Sequence, residues 1–167
     1  IPVVLMGYMN PILQYGFEAF CARAKEVGVD GLILPDLPLF EFENSYGKTI
    51  KDNGLDFIFL VTPETPEERL RKLDSLSSGF LYAVSSSATT GKDKDFSQVA
   101  LYLERLQQMN LKNPILVGFG IKDKQTFDAV NEFSNGAIIG SAYIKALAEG
   151  EEVGVTTKQF LNSVLGN

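Results

Sequence analysis

Six short apolar runs punctuate the chain: Val3-Val4-Leu5-Met6, Gly31-Leu32-Ile33-Leu34, Phe57-Ile58-Phe59-Leu60, Phe80-Leu81-Tyr82-Ala83-Val84, Ile115-Leu116-Val117 and Ala137-Ile138-Ile139. They do not alternate polar and apolar positions, so they read as strands buried on both faces of a parallel sheet, and they are too short to cross a bilayer as helices. Between them, apolar residues recur at helical spacing: Phe17, Phe20, Cys21, Ala24 and Val27; Leu70, Leu73 and Leu76; Val99, Leu103 and Leu106; Phe127, Val130 and Phe133. A last amphipathic helix is expected over 156–165. Alternation of strand and helix predicts an α/β fold. Thr65, Pro66 and Glu68 carry a helix-start signal, with a capping hydroxyl, a proline suited to the first turn and a reciprocal glutamate. Gly28 and Gly54 fit helix ends before the next strand. No linker or low-complexity tract interrupts the pattern, so a single domain over 1–167 is expected.

Small and polar residues follow every run: Gly7-Tyr8-Met9-Asn10, Asp36, Thr62-Pro63-Glu64, Ser85 onward to Gly91, Gly118-Phe119-Gly120 and Gly140-Ser141. In a parallel fold the strand ends line one rim, and in a (β/α)8 barrel that rim carries the active site. Gly118-Phe119-Gly120 and Gly140-Ser141 end consecutive strands just before helices, where exposed backbone N–H groups and a helix N-terminus suit a phosphate. A tight turn explains either glycine station alone; the pair points to an anion. A dinucleotide fingerprint is disfavoured because Asp123 occupies the place of its third glycine. Alternation alone also fits an open doubly wound sheet. A complete barrel needs roughly 250 residues, whereas this chain has 167 and opens almost directly in a strand. The barrel reading therefore expects the first strand here to be the third of eight, with two βα units absent.

Charge and composition narrow the chemistry. A net charge of −6 without a basic stripe argues against nucleic acid or anionic membranes as partners. With no histidine and one cysteine, no Ser-His-Asp triad, Cys-His pair, histidine-ligated zinc or thiolate metal cluster is available within the chain. Cys21, on an apolar helical face, reads as a small buried hydrophobe, and sparse cysteine suggests a reducing cytoplasm. Ser85 to Ser87 have no base to activate them and read as loop. Proton transfer falls to carboxylates and tyrosines at strand ends, namely Asp36, Glu64, Tyr8 and Tyr82. Asp36 lies between Pro35 and Pro38, where a lone carboxylate serves loop N–H groups equally well.

Several of these segments together resemble the tryptophan synthase alpha subunit family: Pro2-Val3-Val4-Leu5-Met6-Gly7-Tyr8-Met9-Asn10-Pro11, Gly28-Val29-Asp30-Gly31-Leu32-Ile33-Leu34-Pro35-Asp36-Leu37-Pro38, Gly118-Phe119-Gly120-Ile121 and Gly140-Ser141-Ala142. Order and spacing match from Ile1 to about Leu147. The resemblance implies strands 3 to 8 of a (β/α)8 TIM barrel, and retro-aldol cleavage of indole-3-glycerol phosphate to indole and glyceraldehyde 3-phosphate. It implies no cofactor in this chain, and a beta subunit that carries pyridoxal phosphate and forms an alpha2beta2 tetramer with it.

Matched position by position, the resemblance assigns phosphate binding to Gly91, Gly120, Ile121, Gly140 and Ser141. It places Tyr8, Tyr82, Thr90 and Phe119 against the rest of the substrate. Asn10, Asp36 and Pro38 fall at the partner surface, Asp36 as a link between the two active sites. Residues 85–91 correspond to the loop that closes over substrate, with a departure: Ser87-Ala88-Thr89 stands where an arginine- or glycine-containing stretch is common. The family's catalytic glutamate and aspartate match no position here, so this chain alone is expected to be nearly inert. The residues by themselves also leave open another phosphate-binding barrel of isomerase or epimerase type, and a non-catalytic partner-binding barrel.

Overall fold

A computed structural model of the protein describes residues 1–84, 96–118, 120–150 and 152–166. They form two compact units, one made of Ile1–Leu60 and Pro66–Leu81, the other of Val61–Thr65 and Tyr82–Asn167. In chain order the elements are β1 (Val4–Met6), α1 (Met9–Tyr15), α2 (Phe17–Glu26), β2 (Gly31–Ile33) and α3 (Leu39–Glu41), which runs through a π-helical turn (Phe42–Tyr46) into α4 (Gly47–Asp52). Then come β3 (Asp56–Phe57), β4 (Leu60–Val61), α5 (Glu67–Leu76), β5 (Leu81–Val84), α6 (Phe96–Gln108), β6 (Ile115–Gly118), α7 (Lys124–Asn131), β7 (Gly136–Ile138), α8 (Ser141–Glu149) and α9 (Val153–Leu165).

Strand order is sequential, β1-β2-β3 in one sheet and β4-β5-β6-β7 in the other. The β1/β2, β2/β3 and β6/β7 pairs are parallel, as right-handed βα crossovers require. The third apolar run is not one strand: its first half pairs with β2 and its second half joins β5. The cause is local. Phe57 N–H donates to Ser78 Oγ at 3.0 Å and Phe59 N–H to Ser77 Oγ at 3.3 Å, so two serine hydroxyls take the place of strand carbonyls along this edge.

In the first unit the core gathers Cys21, Leu32 and Ile50 around Phe42, Phe57 and Phe59, whose ring centroids lie 4.7–4.9 Å apart. The π-helical turn tightens against Gly47, where an added Cβ would lie 2.6 Å from the Phe42 carbonyl oxygen. Contrary to the two-sided burial expected of the first run, Leu5 and Met6 of β1 and Val3 before it are exposed, because among the described residues β1 pairs on one edge only, with β2, which is buried throughout. In the second unit Leu103 and Leu106 of α6 are buried, as are Val61, Ala83 and Val117, so the α6 stripe read from the sequence faces inward as expected.

Both predicted glycine caps form. Gly28 (φ +82°) donates to Lys25 while Val29 donates to Ala24, and Gly54 (φ +65°) donates to Lys51 while Leu55 donates to Ile50. Each is a Schellman closure that turns the chain from helix into strand. The capping box at Thr65 does not form. Pro66 occupies the N-cap position of α5 without a side-chain cap bond, because the Thr65 hydroxyl accepts from Thr62 N–H at 3.0 Å and closes its own turn instead. The last helix starts three residues earlier than its apolar pattern indicates, since the Glu152 carboxylate accepts from Gly154 and Val155 N–H at 2.9 and 2.6 Å.

Candidate functional site

The second unit holds the paired glycine stations. β6 and β7 run in a parallel register whose last rung is Gly118 opposite Ile138. Two residues beyond that rung in each strand come Gly120 and Gly140, so the stations leave the sheet side by side. Gly120 has φ +77°, a turn that a side chain would strain. Gly140 is the N-cap residue of α8, and its carbonyl accepts from Ile144 N–H at 3.0 Å. The N–H groups of Ser141 and its two successors therefore lie in the first turn, where an α-helix offers them no internal acceptor and carries partial positive charge. Gly120, Gly140 and Ser141 are exposed and Ile121 is buried. This arrangement suits an anion held by backbone amides and one hydroxyl. Gly91, Thr90 and Phe119 lie outside the described residues.

Asp123, standing where a dinucleotide-binding loop would have its third glycine, is the N-cap of α7. Its carboxylate accepts from Thr126 N–H at 2.9 Å, and the Thr126 hydroxyl lies within reach of Asp123 N–H at 3.2 Å, a reciprocal capping box. These bonds from the Thr126 backbone and side chain hold the carboxyl below its ordinary range. The Asp-x-x-Thr spacing one residue beyond Gly-Phe-Gly-Ile was the available signal for this cap.

Tyr82 on β5 lies over Gly118. A Cβ built on Gly118 would collide with the Tyr82 hydroxyl and ring, so the ring uses space that only glycine leaves. Burial pushes the phenol above its usual pKa. The turn after β4 places Glu64 on the surface. Arg105 of α6, which sequence patterning did not single out, donates to the carbonyl oxygens of Pro63 at 3.0 Å and Thr65 at 3.4 Å in that turn. Its arginine type and exposed-face spacing gave no hint of a contact 42 residues away.

In the first unit, Tyr8 is the exposed N-cap residue of α1, and Asn10 and Pro38 are also exposed. Both Asp36 carboxylate oxygens lie 3.0 Å from Met9 N–H. Asp36 thus supplies the cap that Tyr8 lacks, and puts negative charge at a helix N-terminus. The structure brings together Tyr8, Asn10 and Asp36 around the start of α1, and Gly120, Ile121, Gly140 and Ser141 at the ends of β6 and β7. Among the described residues no cluster of three or more His, Cys, Asp or Glu side chains has a metal-binding arrangement, and no helix is long and apolar enough to cross a membrane.

The family model for the tryptophan synthase alpha chain matches residues 1–165. A tryptophan synthase alpha chain of Flavobacterium johnsoniae is 51% identical over 150 residues, covering 89% of this chain and 59% of the relative. That of Parabacteroides distasonis is 53% identical over 148 residues, covering 88% and 58%. The chain thus spans under two thirds of the length of these relatives. Among solved structures, the tryptophan synthase A-subunit of the hyperthermophile Pyrococcus furiosus aligns with a TM-score of 0.85 at 34% identity, over 99% of this chain and 67% of that one. A tryptophan synthase complex from the same organism aligns with a TM-score of 0.83 over 99% and 66%. The fold is α/β, an incomplete TIM barrel.

Proposed function

Because this chain belongs to the tryptophan synthase alpha chain family, we propose that it carries the substrate-holding part of a lyase that cleaves indole-3-glycerol phosphate to indole and glyceraldehyde 3-phosphate in tryptophan biosynthesis. The observation that supports this reading most is the register of β6 and β7, which sets Gly120 and Gly140 abreast beside the N-terminus of α8. The phosphate dianion is held by the amides of Gly120, Ile121, Gly140 and Ser141 and the Ser141 hydroxyl. Phosphate binding at such a site draws on oriented amides and the helix dipole, which accords with the chain's net charge of −6.

Tyr82 and Phe119 flank the body of the substrate. Retro-aldol cleavage needs a proton delivered to the indole ring, and protons removed from its nitrogen and from the glycerol hydroxyl. The family's acid and base match no residue here, so the role of this chain's own groups is to bind and orient. Loss of a general acid or base forfeits on the order of a hundredfold to ten-thousandfold in rate. The partner is a beta subunit in an alpha2beta2 assembly, met by the face around Asn10, Asp36 and Pro38. Pyridoxal phosphate belongs to that subunit, and the setting is cytoplasmic.

Titration calorimetry with glycerol 3-phosphate tests the site. The chain is expected to bind it, and Ser141→Asp, which sets a carboxylate against the dianion, is expected to abolish binding. Retained affinity in that variant would remove the site from Gly140 and Ser141. Addition of indole-3-glycerol phosphate to the unsubstituted chain is expected to release no indole above background, and robust release would bring the acid-base groups back to residues present here, with Asp36 and Glu64 first to be substituted.

A further inference from the structure

We infer that Arg105 is a positioning residue that fixes the turn after β4 as the far wall for the part of the ligand distal to its phosphate. This rests on the reading that a phosphate binds at the ends of β6 and β7. The turn is internally rigid: Thr65 N–H donates to the Thr62 carbonyl at 3.0 Å, Thr62 N–H donates to the Thr65 hydroxyl at 3.0 Å, and two prolines, Pro63 and Pro66, restrict its backbone. A turn closed on itself keeps its shape but not its orientation. Orientation comes from outside, through the Arg105 guanidinium, which bridges the carbonyls of Pro63 and Thr65 from α6.

The guanidinium is itself held. It lies 5.6 Å from the centroid of the Tyr102 ring, one turn back on α6, and Tyr102 is 4% exposed. Its hydroxyl has no hydrogen-bond partner among the described residues, so the ring serves as a packed platform and its polar atom is incidental to the anchor. Thr62, Pro63, Thr65, Tyr102 and Arg105 belong to the same compact unit as Tyr82, Gly120 and Gly140. In the order β4-β5-β6-β7, the turn stands two strands from β6, about 10 Å at ordinary strand spacing, with Tyr82 of β5 between. A phosphate at β6 and β7 therefore leaves a short ligand clear of the turn, while a ligand that extends past Tyr82 ends against it.

Arg105→Met keeps the stem over Tyr102 and removes the donors. Its affinity for indole-3-glycerol phosphate is expected to fall about five- to tenfold, as for loss of one partly exposed charged hydrogen bond, with glycerol 3-phosphate unchanged. Arg105→Lys, still able to donate to one carbonyl, is expected to recover part of the loss. In the ligand-free chain, amide exchange at Thr62 and Thr65 is expected to quicken in Arg105→Met by a similar factor. Equal weakening of both ligands, or no change in either, overturns the inference, as does unaltered exchange in the turn. If the unsubstituted chain binds neither ligand, the phosphate reading fails and the positioning role with it, while exchange separately reports on the anchor.

Discussion

Gly118→Ala adds one methyl group at the buried end of β6, where the Tyr82 ring already occupies the space. The backbone there has no left-handed φ, so the cost is steric, not conformational. Either the half-buried ring swings away and loses its contacts, or the end of β6 shifts from its register with β7. Overpacking of this kind costs about 1–3 kcal/mol, and in a chain of this size each kcal/mol lowers the melting temperature by roughly 2–4 °C. Urea unfolding followed by circular dichroism measures it, in the Gly118→Ala, Tyr82→Leu and double variants. Leucine lacks the three Tyr82 atoms that the new Cβ would meet, so the alanine is expected to be nearly neutral in the Tyr82→Leu background. The coupling between the two sites then equals most of the cost of the single alanine variant. A loss below about 0.5 kcal/mol in the parent, or the same loss in both backgrounds, refutes the contact as the reason for glycine.

Asp36→Ala removes the acceptor for Met9 N–H at the start of α1, and a lost cap of this type costs about 0.5–2 kcal/mol. Thermal unfolding checks it, and Asp36→Asn, which retains an acceptor oxygen, is expected to lose less. Cys21, fully buried, has its thiol pushed by burial from 9.0 up to about 11, with Glu18 adding to the rise. Alkylation of the native chain at pH 8 should be far slower than that of the urea-unfolded chain, and equal rates would show the thiol to be accessible. Because the unfolded thiol ionises near 9 and the native one near 11, this group's contribution to stability is intact below pH 9 and declines as pH rises from 9 towards 11. A midpoint of urea unfolding measured across that range in Cys21→Ala and parent chains isolates the effect.

Most of the strands and helical stripes were legible in the sequence because each records a local condition: a segment buried on both faces, as β2 is, is continuously apolar, and one buried along a stripe repeats every three or four residues, whereas the equally apolar first run forms a strand whose Leu5 and Met6 are exposed. Gly28 and Gly54 were equally legible, since a left-handed residue closing a helix is a matter of a few consecutive residues. The adjacency of Gly120 and Gly140 followed from sequential parallel strands, which crossover handedness nearly fixes.

What remained hidden depends on groups distant along the chain. Thr65 has the type and spacing of a cap, yet its hydroxyl is taken by Thr62. The run from Phe57 to Leu60 is divided by the hydroxyls of Ser77 and Ser78, about 20 residues on. Asp36 finds its partner 27 residues back, at the first turn of α1, and Arg105 finds its carbonyls in a turn some 40 residues away. A side chain's type states only what it can bond. Which donor or acceptor reaches it first is decided when folding brings distant segments within 3 Å, and periodicity holds no record of that distance.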